Sequence, residues 1–169
     1  NAIMSTTSEK TPYVLELLEG MTNAIVFTYT KADVALLQAL IMKQGKTVYI
    51  ITGETPKAER VAIIATAAKE QATIVATIGS TGVGVDGLQH VSNHIINHSL
   101  SHSPKEHLQA ESRAHRIGQE NPVDITYIIM QDSADEMVIA ILDSKSKQDE
   151  DKHNSTTEEK GIFANLKMD

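Results

Sequence analysis

The sequence predicts an α/β fold: one domain with a mainly parallel sheet sandwiched between helices. Two observations predict it. Short β-rich runs alternate along the chain with longer amphipathic stretches, the order that βαβ units require. The β-rich runs are also continuously apolar rather than alternating, as expected of strands covered on both faces.

Pro12–Glu19 predicts a first helix, which leads into a strand at Ala24–Thr28. Thr30, with Asp33 three residues on, offers a hydroxyl N-cap and its acid for a helix over Lys31–Lys43. Val48–Thr52 (VYIIT) is the second strand. Thr55-Pro56 opens a helix over Pro56–Lys69, with proline at the first helical position, where its missing N–H costs nothing. Thr73–Ile78 and His94–Asn97 are the third and fourth strands. Ser103, Pro104 and Glu106 open a helix over Pro104–His115 in the same way. Asp124–Met130 is the fifth strand, and Ser133 with Glu136 starts a last helix over Ala134–Lys147. In sheets of this kind the functional groups sit on loops beyond the carboxyl ends of the strands.

The 169 residues fit one domain of ordinary size, expected over residues 11–147. Asn1-Ala2-Ile3 ahead of Met4 reads as a cloning remnant, so residues 1–10 are expected to be that remnant and an N-terminal arm. Residues 148–169, with six acidic and three basic side chains, form a tail expected to be disordered up to about Gly161. No apolar run approaches the ~18 residues of a membrane span, and no basic-then-apolar leader is present. The absence of cysteine excludes disulfides, zinc–thiolate sites and cysteine catalysis, and fits a cytoplasmic location. A formal net charge of −7 argues against binding nucleic acid by bulk electrostatics. Such contact would have to be local, made by hydroxyls, backbone amides and a few bases. There is no internal repeat.

The informative segment is Gln109-Ala110-Glu111-Ser112-Arg113-Ala114-His115-Arg116-Ile117-Gly118-Gln119. On a helix Gln109, Arg113 and Arg116 stand at i, i+4 and i+7 and share one face. Two guanidinium groups there repel unless an anion lies beside them. The spacing alone favours a solvated charged face, with Glu106 or Glu111 as partner.

The run QAESRAHRIGQ resembles the last conserved motif of superfamily 2 helicases, in the form found in Swi/Snf-type ATPases. The resemblance extends from about Asn23 to Lys147. Ile25–Thr30 looks like the strand that opens the family's second lobe. Thr52–Pro56 with Glu59-Arg60 resembles its Gly-x-Thr-Pro…Arg turn. Thr77–Leu88 resembles its Thr-x-Gly-x-Gly-x-Asn/Asp-Leu core, with Thr81-Gly82 where a double glycine is usual, and Asn121–Val123 followed by Ser133–Glu136 matches the closing strand and helix. Leu100–Pro104 departs from the usual Trp-Asn-Pro.

What the resemblance implies is a second RecA-like lobe of an ATP-driven DNA helicase or translocase. In the family the two arginines reach across a cleft to the phosphates of ATP bound on the other lobe. By resemblance Arg113 and Arg116 are arginine fingers and Gln109 orients the site. Gly82, Gly84 and Asp86 approach the nucleotide, while Thr28, Thr52, Gly53, Ser80 and Thr81 meet the nucleic-acid backbone. The implied partners are the N-terminal RecA-like lobe of the same polypeptide, which would hold most of the ATP and Mg²⁺, and double-stranded DNA. No phosphate loop or acidic Mg²⁺ motif occurs here, so this chain alone is expected to be inactive. A non-catalytic docking module and an RNA helicase lobe are the alternatives.

Three other patterns lead elsewhere. Gly82–Gly87 fits a dinucleotide fingerprint, yet only about six residues separate it from the next strand, too few for the required helix. Gly45-Lys46-Thr47 looks like the end of a phosphate loop but precedes a strand, so a helix-ending glycine is expected. His90, His94, His98 and His102 recur every four residues, but on an extended chain such neighbours are ~13 Å apart and no shared metal is expected. His115, between the arginines, reads either as part of a polar network or as a packed side chain.

Overall fold

The computed structural model describes residues 2–81, 86–101, 103–114 and 120–153. Five strands form one sheet: β1 (Ile25–Thr28), β2 (Val48–Ile51), β3 (Thr73–Thr77), β4 (His94–Asn97) and β5 (Asp124–Tyr127). Their order is β2-β3-β1-β4-β5, and every pairing is parallel. The α/β expectation therefore holds. Five helices surround the sheet: α1 (Ala2–Glu19), α2 (Lys31–Lys43), α3 (Lys57–Glu70), α4 (Pro104–Ala114) and α5 (Ala134–His153).

Each strand divides its side chains between two cores, because successive residues point to opposite faces. Val26, Val75 and Ile96 pack with Val14 and Leu18 of α1 and Val34, Leu37 and Ile41 of α2. Ile25, Phe27, Ile74, Ala76 and Ile95 pack on the other face with Ile64 and Ala67 of α3 and Ala110 of α4. A third cluster joins Tyr127 and Ile129 to Val138, Ile139 and Leu142 of α5. Burial on both faces is why the strands read as unbroken apolar runs.

Most predicted boundaries hold to within one residue. The fifth strand is shorter than its apolar run, because pairing ends at Tyr127 and only Ile128 N–H still bonds back, to Asn97. Thr30 caps α2 as expected, its Oγ1 accepting from Asp33 N–H at 3.1 Å. Pro56, however, is the residue before α3 and not its first, and Thr55 turns its hydroxyl to Thr52 N–H instead. Ser133 accepts from Asp135 N–H, while at α4 the cap acid Glu106 bonds Ser101 instead of Ser103.

The largest corrections are at the two ends. The first helix was expected to begin at Pro12, yet α1 starts at Ala2 and carries Pro12 inside it. Residues just ahead of the proline are tied down. Lys10, 2% exposed, pairs with Asp135 at 2.5 Å, and Thr11 Oγ1 lies 3.1 Å from His98 Nε2. These contacts offset the backbone hydrogen bond that proline cannot make. At the other end α5 continues to His153, six residues into the expected tail. That stretch has no glycine or proline and is rich in residues that tolerate helix. Residues 154–169 lie outside the described residues.

Candidate functional site

The strand-end loops carry most of the predicted nucleic-acid residues. Arg60, on the first turn of α3, holds two of these loops together. Its Nε donates to Thr55 O at 2.7 Å, its Nη1 to Ser80 O at 2.5 Å, and its Nη2 to Thr52 O and Gly53 O, each at 3.2 Å. Ser80 is buried, and its hydroxyl donates to Thr77 O at 2.6 Å. Thr52, Gly53 and Ser80 are thus brought side by side, with Gly53 exposed. Thr81 closes the short 3-10 turn at Ile78–Thr81 beside them. The motif match had included Arg60 without giving it a role. Its planar fork of donors explains the choice of arginine.

Thr28 is placed differently from its four companions. Its side chain is fully buried, and its hydroxyl meets Asp33 Oδ2 at 3.2 Å, His98 Nδ1 at 3.2 Å and Ser99 Oγ at 2.8 Å. It supports the ends of β1 and β4 from inside, together with Thr11 on His98 Nε2. No local pattern signals this network, because its members lie up to 87 positions apart.

On α4 the predicted catalytic residues separate from Glu111 but not from Glu106, which stands one turn before Gln109 on the same face. At 100° per residue, Gln109 and Arg113 project from the side of the helix away from His107 and Glu111. Gln109 is exposed and Arg113 half-buried, while His107, Ala110 and Glu111 are buried. Glu106 bonds the Ser101 hydroxyl, and Glu111 Oε1 accepts from the Tyr127 hydroxyl. Burial pushes the Glu111 carboxyl up to about 7, against a smaller lowering by the Tyr127 hydrogen bond. Burial pushes His107 down to about 4, and its Nε2 accepts from Ser101 N–H at 2.8 Å, which fixes the neutral ring. Desolvation, with Glu111 alongside, raises the Tyr127 hydroxyl.

Asp86 is exposed, and its carboxylate accepts from Gly87 N–H at 3.0 Å. Gly87 has φ +102°, and an added Cβ would lie 3.1 Å from Ile64 Cγ2, so glycine is required there. Three residues of a 3-10 turn follow, not the long helix of a dinucleotide site. Gly45, at φ +76°, ends α2 in a turn. His94 faces Asp124 at 3.5 Å and His98 is in the buried network. Among the described residues no three His, Asp or Glu side chains could hold a metal ion. Gly82, Gly84, His102, His115 and Arg116 lie outside the described residues. A cavity of about 620 Å³ lies away from all these loops, between Tyr13 and Leu17 of α1 and the edge from Thr126 to Gln131. Among the described residues no helix is long and apolar enough to cross a membrane.

With this geometry in view, residues 9–118 match the helicase conserved C-terminal domain. The chain is 29% identical over 138 residues to the mouse DNA annealing helicase and endonuclease ZRANB3, covering 80% of this chain and 13% of that protein. It is 25% identical over 136 residues to the Xenopus tropicalis SWI/SNF-related matrix-associated actin-dependent regulator of chromatin subfamily A-like protein 1, covering 80% and 14%. The chain therefore spans about one seventh of the length of these relatives. The C-terminal part of the Fun30 ATPase domain superposes with a TM-score of 0.71 at 21% identity, covering 79% of this chain and 44% of that one. The C-terminal domain of the DEAD-box protein Dbp5 gives 0.65 at 19%, covering 82% and 78%.

Proposed function

Because the chain belongs to the helicase conserved C-terminal domain family and has Swi/Snf-type relatives, we propose that it is the second motor lobe of an ATP-dependent DNA translocase. One observation carries this reading: Gln109 and Arg113 share one face of α4, a helix that packs against the Ile78–Thr81 turn at the strand ends. A guanidinium fork on that helix suits a phosphoryl oxygen whose charge grows during transfer. Arg116, three positions on in the sequence, is assigned the same role from the motif, with Gln109 orienting the pair.

ATP and Mg²⁺ would be held mainly by an N-terminal RecA-like lobe of the same polypeptide. Gly82, Gly84 and Asp86 would line the nucleotide side of the cleft. Thr52, Gly53 and Thr81 would take a DNA backbone on amides and hydroxyls, with buried Ser80 and Arg60 holding the two loops in register. Thr28 would act from beneath them. This local mode of contact fits the acidic net charge.

The test uses protein carrying both lobes. ATP turnover is measured with double-stranded DNA, single-stranded DNA and RNA, and translocation by displacement of a triplex-forming strand. Stimulation by duplex DNA with triplex displacement supports the reading. Stimulation by RNA alone would replace it with an RNA helicase lobe, and no stimulation at all would favour a docking module.

A further inference from the structure

Two neighbouring residues fasten α1 to different parts of the fold, and one of these ties ends beneath the strand-end loops. Lys10 pairs with Asp135, which also accepts from Met130 N–H at 3.1 Å, so it holds α1 to the start of α5. Thr11 instead meets His98, just past the end of β4. Thr11, Thr28, His98 and Ser99 are all buried.

Both sides of the His98 ring are in use. Its Nε2 faces Thr11 Oγ1 at 3.1 Å and its Nδ1 faces Thr28 Oγ1 at 3.2 Å, while its backbone N–H donates to Phe27 O at 2.9 Å. The direction of this chain of bonds follows from its far end. A carboxylate oxygen only accepts, and Thr28 gives its one hydroxyl proton to Asp33 Oδ2. Thr28 Oγ1 therefore receives from His98 Nδ1–H and from the Ser99 hydroxyl, and Ser99 Oγ receives from Tyr29 N–H at 2.7 Å. With the ring proton on Nδ1, Nε2 accepts from the Thr11 hydroxyl.

From Thr28 the hold passes to two loops. Tyr29 opens the loop after β1 and is fixed through its N–H. Thr28 and Thr77 are register partners on adjacent strands, and Thr77 O accepts from the Ser80 hydroxyl in the Ile78–Thr81 turn. A buried polar network of this kind specifies one arrangement, because the alternatives strand a donor or acceptor away from water.

We propose that His98 is a positioning residue for the nucleic-acid contacts: its ring carries the hold of α1 to Thr28 and so sets the loops after β1 and β3. It acts in this way only if Thr81 and its neighbours take a DNA backbone, as in the function proposed above.

Thr11→Val and His98→Asn cut the same bond from opposite sides. Valine keeps the shape of threonine without its hydroxyl, and the asparagine amide can still donate to Thr28 from the place of Nδ1. In the 169-residue chain, exchange of the Tyr29 amide, followed where every variant is folded, should quicken at least about tenfold in each. In the two-lobed protein, the DNA concentration that gives half-maximal ATP turnover should rise about fivefold in each, with kcat at saturating DNA kept. The double variant should be no worse than either single one, because the bond can be lost only once. Leu18→Ala thins the α1 core without touching the network, and should keep the wild-type half-maximal concentration. Unchanged Tyr29 exchange in both variants would overturn the tie. Quickened exchange at an unchanged half-maximal concentration, or an equal rise in Leu18→Ala, would overturn the positioning role. A wild type that DNA does not stimulate would instead overturn the motor reading itself, whatever the Tyr29 amide does.

Discussion

Arg60 joins the loops after β2 and β3 by bonding four carbonyl oxygens from one planar group. Lysine has one donor head and cannot reproduce that fork. Arg60→Lys and Arg60→Ala should therefore both lower stability, by about 1–3 kcal/mol in urea denaturation, with alanine the worse. Both should weaken DNA binding more than they weaken folding, because Thr52, Gly53 and Ser80 lose their common register. Glu111 gives a second expectation at this scale. A carboxyl whose folded pKa is raised contributes stability that is complete below its unfolded value and is lost as pH rises through the folded value, here about 7. Glu111→Gln should remove that loss. Relative to wild type it should gain up to about 3 kcal/mol between pH 5 and pH 8, read from denaturant midpoints at each pH. His107 runs the other way. Its lowered pKa contributes stability that is full above the ordinary histidine value and fades as pH falls toward about 4.

At the level of elements, the sequence marked what local chemistry decides. Strands with unbroken apolar runs, the Thr30 cap of α2 and the glycine ends of helices were legible because each depends on neighbours in the chain. What stayed hidden depends on residues far apart. The start of α1 is an example: Pro12 signals a helix beginning, but Lys10 and Thr11 are held by Asp135 and His98, and nothing in the local sequence announces either partner. The site divides in the same way. The face shared by Gln109 and Arg113 follows from helical spacing, whereas the bonds of Glu106 to Ser101 and of Glu111 to Tyr127 follow only from where β4 and β5 lie. The Lys10–Asp135 pair leads to a prediction for α1. Removing one partner of a buried ion pair strands the other, so Lys10→Ala should cost about 3–5 kcal/mol. Lys31→Ala breaks only the exposed pair with Glu54 and should leave the thermal midpoint nearly unchanged. Equal effects of the two substitutions would mean that α1 is not anchored through Lys10.

For the whole molecule, the sheet order places the loops after β1, β2, β3 and β4 along one end, with the start of α4 beside them. A cavity lies elsewhere, against α1 and the β5 edge. In the proposed reading this end contributes to a nucleotide site only when an N-terminal lobe closes over it. The 169-residue chain by itself should therefore show no ATP turnover above background. The most direct test of the account is DNA-stimulated ATP hydrolysis by the two-lobed protein, comparing wild type with Arg113→Ala and Arg116→Ala while ATP binding is monitored in parallel. The account predicts that each substitution lowers kcat by about 10³-fold or more with ATP binding retained, the scale of arginine fingers in other phosphoryl-transfer systems. Turnover that is indifferent to both arginines, or as fast in the isolated chain, would contradict it.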